Sequence, residues 1–523
     1  MFFTKSTNAQ VVVVDFGSQV TQLIARRCRE QGVAAIVIPY HQLDAYLNDH
    51  APKLVFLSGG YQSVYANNAP QLERRTLDQL IARRVTIVGI CYGMQLVAQL
   101  LGGRVTKGKA GEYGRATLNR AANAPAVIWT WPEKETTVWM SHSDEVIGLP
   151  EGFSVYGSTD RCTIALAGDL TKDVYLMQFH PEVSHTDKGL ELIQNLLTLA
   201  KCEPDWQLTT SSLDEIRGWI GTQLRGGVAV GGISGGIDST FGAWLCQQVV
   251  GPDRFVPIFV NNGLLRAGEA EEVQASLAEL GLVYRYVDES QHFWQALKGV
   301  YEPDEKRQII GHLFIEVFAE AAKKIAGVTH LFQGTLYPDV IESVPVFGQT
   351  SKIKRHHNVG GLPDALPFAL LEPWRGLFKD EVRRLAKLAG FPKAIIKRHP
   401  FPGPGIAVRI LGEVNQETMA VQRAADRLFM EAIKTAGFHD QISQAFAALV
   451  PTNTAGVLGD EGRSGYLIIL RAVTTDDFMT ADWFRFPPEF LAQVSTDLAN
   501  EIPSVVHVAY STSTKPPATI ELE

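Results

Sequence analysis

The sequence lacks the features that mark extracellular, membrane and nucleic-acid-binding proteins. Its five cysteines (Cys28, Cys91, Cys162, Cys202, Cys246) are odd in number and widely spaced, with no CxxC pair. That pattern suggests neither a disulfide framework nor a zinc site, and points to a reducing compartment. No apolar run approaches the ~18 residues of a membrane-spanning helix, and the opening MFFTKSTNAQ is too polar for a signal-peptide core. Nor is there an excess of basic charge. Lys and Arg number 48 against 56 Asp and Glu, a formal net charge of −8, which gives no general electrostatic reason for a nucleic-acid partner, although a local basic face would be compatible with it. Internal repeats and low-complexity tracts are also absent. A soluble cytoplasmic protein acting on small polar ligands is expected.

What the sequence does have is alternation. At 523 residues it has room for about three domains of ~100–200 residues. Over 10–199, short β-branched runs (VVVVDF, AAIVIP, KLVFLSGG, VTIVGIC, VYLMQFHP) alternate with helical or turn-rich stretches, predicting an α/β domain with a largely parallel sheet. KCEPDWQ, with its charges and Pro204, reads as a linker. A second alternation begins at GGVAV and predicts a doubly wound parallel sheet with a nucleotide loop after its first strand. The Pro/Gly cluster RHPFPGPGIA cannot continue a helix and marks the next boundary. Beyond it a small α+β domain is expected. The domains are placed at 8–200, 206–398 and 399–523.

Two constellations carry chemistry. In GICYGMQL, Cys91 falls between an apolar strand and a helical stretch. A tight strand-to-helix turn, permitted by Gly89 and Gly93, would hold its thiol out of the sheet at the positive end of a helix dipole. A thiol nucleophile needs a base, and the base an orienting group. YLMQFHPEV supplies both in His180 and Glu182 at the end of a further strand, with Pro181 fixing the turn between them. The second constellation is GGISGGIDST (231–240). It has no lysine of the Walker kind. Its backbone N–H groups at Gly235, Gly236 and Ile237 can form an anion nest at a helix N-terminus, and Ser234, Ser239 and Thr240 can donate further hydrogen bonds. Asp238 repels phosphate unless a magnesium ion lies between them. The loop therefore suits a pyrophosphate bound through Mg2+.

GICYGMQ with FHPEV resembles the class I, triad-type glutamine amidotransferases, in which the cysteine attacks the glutamine amide and ammonia is released. LSGGYQSV is similar to that family's oxyanion-hole loop, which implies backbone roles for Gly59, Gly60 and Tyr92 and places Gln95 with the glutamine-binding residues. Tyr61 stands where the family usually has proline. SGGIDS resembles the PP-loop of the N-type ATP pyrophosphatases, which cut ATP to AMP and pyrophosphate. With EKRQIIG (305–311), QGTLYPDVIES (333–343), HHNVGGL (356–362), HPFPGPG (399–405), KPPATIE (515–521), WMSHSDEV, FGSQVTQLIARR and GEYGR, the chain is similar over nearly its whole length to the glutamine-hydrolysing GMP synthetases. The resemblance implies glutamine, ATP and xanthosine monophosphate (XMP) as substrates, an adenylated XMP intermediate and a homodimer formed by the C-terminal domain. It implies XMP contacts from Arg409, Lys515 and Glu521.

The chain departs from that family at Asn261 (usually aspartate), at Asn453 (usually arginine) and in YSTST (510–514). A GMP synthetase with rebuilt contacts and a paralogue aminating a related nucleotide both accommodate these changes. A tRNA-modifying PP-loop protein is a further alternative, disfavoured by the net charge and the absence of CxxC. The polar stretch 345–362 is expected to act as a lid.

Overall fold

The computed structural model describes residues 9–343, 368–396, 398–399, 401–458, 461–475, 478–515 and 517–523. The expected lid and HHNVGGL lie outside the described residues. The chain forms two compact units, the first reaching Gln207 and the second beginning at Leu208.

In the first unit, strands β1 (Val11–Phe16), β2 (Ala35–Pro39), β3 (Leu54–Gly60) and β4 (Thr86–Ile90) are joined by β5 (Arg104–Arg120), β6 (Glu135–Gly148), β7 (Ser154–Ser158), β8 (Leu166–Asp169) and β9 (Val174–Met177). They make one sheet in the order β2-β1-β3-β4-β9-β8-β7-β5-β6. The first five in that order pair in parallel, and the remainder extend the sheet in antiparallel fashion. Val11 to Val14 are all fully buried, as a parallel strand covered on both faces requires; this is why VVVV is continuous rather than alternating. Helices α1 (Thr21–Glu30), α2 (Tyr92–Leu100) and α3 (Gly189–Leu199) flank it. KCEPDWQ, read as a linker, is held on this unit. The Asp205 and Trp206 amides donate to the Gly32 carbonyl, the Ala34 amide donates to Asp205 at 2.7 Å, and the Arg29 guanidinium lies 4.2 Å from the Trp206 ring centre.

The second unit opens with β10 (Val228–Gly232), β11 (Phe255–Asn261), β12 (Arg285–Asp288), β13 (Val328–Phe332) and β14 (Ala369–Leu371), all parallel, in the order β12-β11-β10-β13-β14. The first strand is central, and the chain leaves it first to one side and then to the other, the doubly wound pattern that opens a ligand crevice at the carboxyl ends of the strands. Helices α4 (Ile237–Val250), α5 (Pro303–Lys323) and α6 (Lys379–Leu388) belong to this layer. A second sheet, β15 (Gln444–Leu458), β16 (Glu461–Thr474), β17 (Asp482–Trp483) and β18 (Val505–Tyr510), carries α7 (Gln416–Thr435) and α8 (Pro488–Glu501). The two layers share one hydrophobic core, in which Val230 and Ile258 of the first sheet, Ile310 of α5, Ile406, Phe429 of α7 and Ile468 of β16 are buried together. Apolar burial, rather than a few polar contacts, therefore fixes the terminal layer to the nucleotide-loop layer.

Candidate functional sites

Cys91 sits where the sequence puts it, on the turn between β4 and α2, with φ 50° and ψ −105°. A non-glycine residue in that region is strained, and such strain persists only where the surroundings hold it. Here the Cys91 amide donates to the Met177 carbonyl at 2.7 Å. The neighbouring glycines are sterically required. A Cβ on Gly93 would lie 2.1 Å from the Leu57 carbonyl oxygen, and one on Gly89 would lie 2.8 Å from Gly93.

His180 and Glu182 are brought to this turn. The His180 ring pairs with Glu182 Oε1 at 2.7 Å, both side chains are buried, and Cys91 lies beside the ring. Burial opposes a charged imidazole, but the Glu182 carboxylate and Cys91 outweigh it and raise His180 to about 10. Gly59 and Gly60 border the same space: a Cβ on Gly59 would stand 3.1 Å from the His180 ring, and one on Gly60 3.0 Å from Tyr92. The Tyr92 amide occupies the first position of α2, where a backbone N–H has no intrahelical acceptor. Its side chain is buried against Phe16 with ring centres 5.4 Å apart. Gln95 is also buried, and its amide donates to the Asp144 carbonyl at 2.8 Å and to Gln178 at 3.2 Å.

WMSHSDEV entered the reading only as a matching motif, yet its strand, β6, touches the constellation repeatedly. The Trp139 carbonyl accepts from the His180 amide at 3.0 Å, the Ser141 carbonyl accepts from the Cys91 thiol at 3.6 Å, and the Asp144 carbonyl accepts from Gln95. Arg27, in FGSQVTQLIARR, donates to the Glu182 backbone carbonyl at 2.9 Å. These are main-chain acceptors, so the letters of the motif gave no signal of them. Glu182→Gln removes the charge that sustains the His180 imidazolium while leaving the burial that opposes it. Its pKa therefore falls, and the alkaline limb of a glutaminase pH profile, expected near 10, moves down by about 1–3 units. An unmoved limb in a pH–rate measurement on this variant refutes the assignment.

The second constellation leaves the carboxyl end of β10 and enters α4 at Ile237, with Gly235 at φ 74°. Ser234 and Ser239 shape the loop: the Ser234 amide donates to Ser239 Oγ at 3.2 Å, and the Gly236 amide lies 3.4 Å from Ser234 Oγ. Ile237 is buried, leaving only its amide to serve the loop, and the Thr240 side chain is buried rather than open to a ligand. Gly334 of QGTLYPDVIES packs on the loop, since a Cβ there would come 3.4 Å from Asp238. The residue that the sequence reading missed is Lys379. Its ammonium lies 3.1 Å from Asp238 Oδ2, so a cation does stand at this loop, supplied by α6 rather than by the loop itself. One signal was available: Lys379 opens its helix, where a positive charge opposes the helix dipole. The fit to magnesium is good. Asp238 Oδ1 is buried with no protein partner, and among the described residues no three His, Cys, Asp or Glu side chains cluster to hold a metal. A single carboxylate supplemented by phosphate oxygens is the usual way such a site binds Mg2+.

Asn261, at the end of β11, donates to Asp288 Oδ2 and to the Tyr286 hydroxyl, both at 3.1 Å, and accepts from the Gly263 amide at 3.0 Å. An aspartate there would set two carboxylates against each other. The neutral amide is thus matched to Asp288.

Of the three expected XMP contacts, Arg409 and Glu521 are brought together. The Arg409 guanidinium forms a two-point pair with Glu521 at 2.9 and 3.1 Å, lies 4.3 Å from the Phe446 ring centre and has no exposed surface. It therefore holds Glu521 rather than presenting itself to solvent. Gln444 donates to the same carboxylate at 2.6 Å. Lys515 donates to the Phe478 carbonyl at 2.7 Å. Arg471, fully buried, fastens the intervening segment through the carbonyls of Ser511, Ser513, Thr519 and Ile520. Asn453 is exposed beside an irregularity in the β15–β16 pairing.

Comparison with known proteins agrees in order and extent. Residues 12–200 match the family described as glutamine amidotransferase class-I, 211–309 that described as NAD synthase, and 431–522 that described as GMP synthase C terminal domain. The fold and the two constellations thus define an amidotransferase joined in one polypeptide to a PP-loop ATP pyrophosphatase. The chain is 45% identical over 517 residues to the glutamine-hydrolyzing GMP synthase of Aquifex aeolicus, covering 98% of this chain and 99% of that one. With the protein of the same name from Thermus thermophilus it shares 45% over 519 residues, 98% and 100% of the two chains, and with that of Symbiobacterium thermophilum 43% over 518 residues, 98% and 99%. It belongs to the glutamine-hydrolysing GMP synthase family.

Proposed function

We propose that the chain converts XMP to GMP, taking nitrogen from glutamine and splitting ATP to AMP and pyrophosphate. The single observation that carries the reading is the presence, in one chain, of Cys91 beside a buried His180–Glu182 pair and of a lysine-free glycine loop with an orphaned carboxylate oxygen. With the proton of the pair already on His180, where Glu182 sustains the imidazolium, the Cys91 sulfur attacks the glutamine side-chain carbonyl. The oxyanion faces the amides of Tyr92 and Gly59 or Gly60, and the imidazolium returns its proton to the departing ammonia. At the second site, the 2-carbonyl oxygen of XMP attacks the α-phosphorus of ATP and pyrophosphate leaves; ammonia then adds at C2 and AMP leaves. The amides of Gly235, Gly236 and Ile237 receive the departing pyrophosphate, Asp238 would hold Mg2+, and Lys379 adds positive charge. Bound there, the magnesium ion neutralises charge on the pyrophosphate. Three modules, at 8–200, 206–398 and 399–523, a homodimer and a cytoplasmic location complete the reading. Among the described residues no helix is long and apolar enough to cross a membrane.

The departures favour no other acceptor. Asn261 is spent on Asp288, and Arg471 holds YSTST chiefly through main-chain carbonyls, which are present whatever the side chains. The decisive assay is ATP-dependent amination of XMP with glutamine, in which GMP, AMP and pyrophosphate form in equal amounts. No GMP, with AMP released only when a different nucleotide is offered, overturns the proposal in favour of a paralogous acceptor.

A further inference from the structure

EKRQIIG has no part in the chemistry above, yet its lysine is the most deeply enclosed ammonium at the terminal site. Lys306, on α5, is 0% exposed. Its Nζ donates to Glu523 at 2.8 and 3.1 Å, to the Ile410 carbonyl at 2.5 Å and towards the Ala407 carbonyl at 3.4 Å. The neighbouring Arg307 donates to the Glu523 backbone oxygen. Ala407 and Ile410 flank Arg409, and Arg409 is the residue paired with Glu521. The contacts therefore close a ring. Lys306 grips both the short helical turn Gly405–Arg409 and Glu523, and that turn in its own right grips Glu521, two residues before Glu523.

A buried ammonium is costly to desolvate, and such a pair rarely adds net stability over a well-packed apolar replacement. Burial depresses the lysine pKa and raises that of Glu523 against their mutual attraction. A pair maintained against that cost is better explained by geometry, because it fixes the register of the terminal segment against the turn. Arg471 holds the other end of the segment, so the stretch bearing Lys515 and Glu521 is fastened at both sides.

We infer that Lys306, acting through Glu523, is a positioning residue for the acceptor nucleotide, holding Glu521 and the terminal segment in the arrangement that binds XMP. The inference rests on the proposed XMP amination. It is tested with ammonia as the nitrogen donor, measuring KM for XMP, KM for ATP, kcat and melting temperature in Glu523→Gln and in the charge-free pair Lys306→Met with Glu523→Leu. KM for XMP is expected to rise about tenfold to a hundredfold in both. KM for ATP should stay within about twofold, and the charge-free pair should melt near the wild type. A purely structural clasp would instead give an unmoved KM for XMP, or both KM values rising in step as melting falls, and either result overturns the inference. Should the charge-free pair fail to fold, the near-isosteric Glu523→Gln decides alone. Wild-type protein that makes no GMP from XMP and ammonia removes both the inference and the reading beneath it, whereas wild-type turnover with unmoved variant KM values removes only the inference.

Discussion

Cys91→Ala is expected to lower glutamine-dependent GMP formation by a factor on the order of 10⁴ or more, as loss of a covalent nucleophile does in hydrolytic triads, while ammonia-dependent formation stays within about twofold. The sulfur stands on the strained turn beside His180, whose Nδ1 is paired with Glu182, and it supplies the covalent bond to the glutamine carbonyl. The synthetase chemistry uses none of these atoms. The change also leaves the local backbone intact. Alanine meets the same restriction at φ 50° that cysteine does, the amide bond to Met177 involves no side chain, and loss of one small buried group costs about 1 kcal/mol. The measurement is a pair of initial rates, with glutamine and with saturating ammonium, on protein whose circular dichroism matches the wild type. Loss of both activities in a folded variant would show that the two chemistries are not separable in this way.

The glutaminase constellation was legible because its requirements are local. A cysteine on a strand-to-helix turn needs Gly89 and Gly93 at fixed offsets for reasons of close approach, and these survive as letters in the sequence. The same holds for Gly235, whose positive φ and proximity to Val273 exclude a side chain. Strand alternation likewise revealed the parallel sheets, since burial on both faces gives continuous apolar runs such as Val11 to Val14.

Contacts made across the chain were not legible. Lys379 meets Asp238 only in the folded layer, where β13 pairs with β10 and β14 with β13, and Arg409 finds Glu521 112 residues away. Nothing in IAVRILGE, the stretch that carries Arg409, signals that its arginine is enclosed. Here it is enclosed because Phe446 covers it and Glu521 neutralises it. Main-chain acceptors leave no trace at all, which is why β6 could be matched as a motif without its part in the site being seen. KCEPDWQ ends where the first unit gives way to the second, but its composition gave no sign that Gly32, Ala34 and Arg29 hold it in place.

Asp238→Asn is expected to slow pyrophosphate release by about 10²-fold or more with either nitrogen source, because the lost charge serves the ATP step that both routes share. The sign of a second effect separates this role from a merely structural one. In the wild type the carboxylate faces an anion nest, and its repulsion of a bare pyrophosphate is offset only in part by Lys379 at 3.1 Å. Two unit charges about 4 Å apart at an effective dielectric near 20 interact by about 4 kcal/mol, so even a partly screened repulsion is measurable. Removing it should tighten binding of metal-free pyrophosphate by about tenfold, since Lys379 is then left facing the phosphate much as a Walker lysine does. Magnesium should strengthen pyrophosphate binding less in the variant than in the wild type, because the oxygen that has no protein partner has lost its charge. Calorimetry with pyrophosphate, with and without magnesium, reads both quantities without turnover. If Asp238 served only to anchor Lys379, Asp238→Asn would weaken metal-free binding by loosening the lysine, and the magnesium response would not change. Tighter binding alongside slower release is therefore the outcome that assigns the aspartate to the metal, and it explains why this loop carries an acid where other nucleotide loops carry a base.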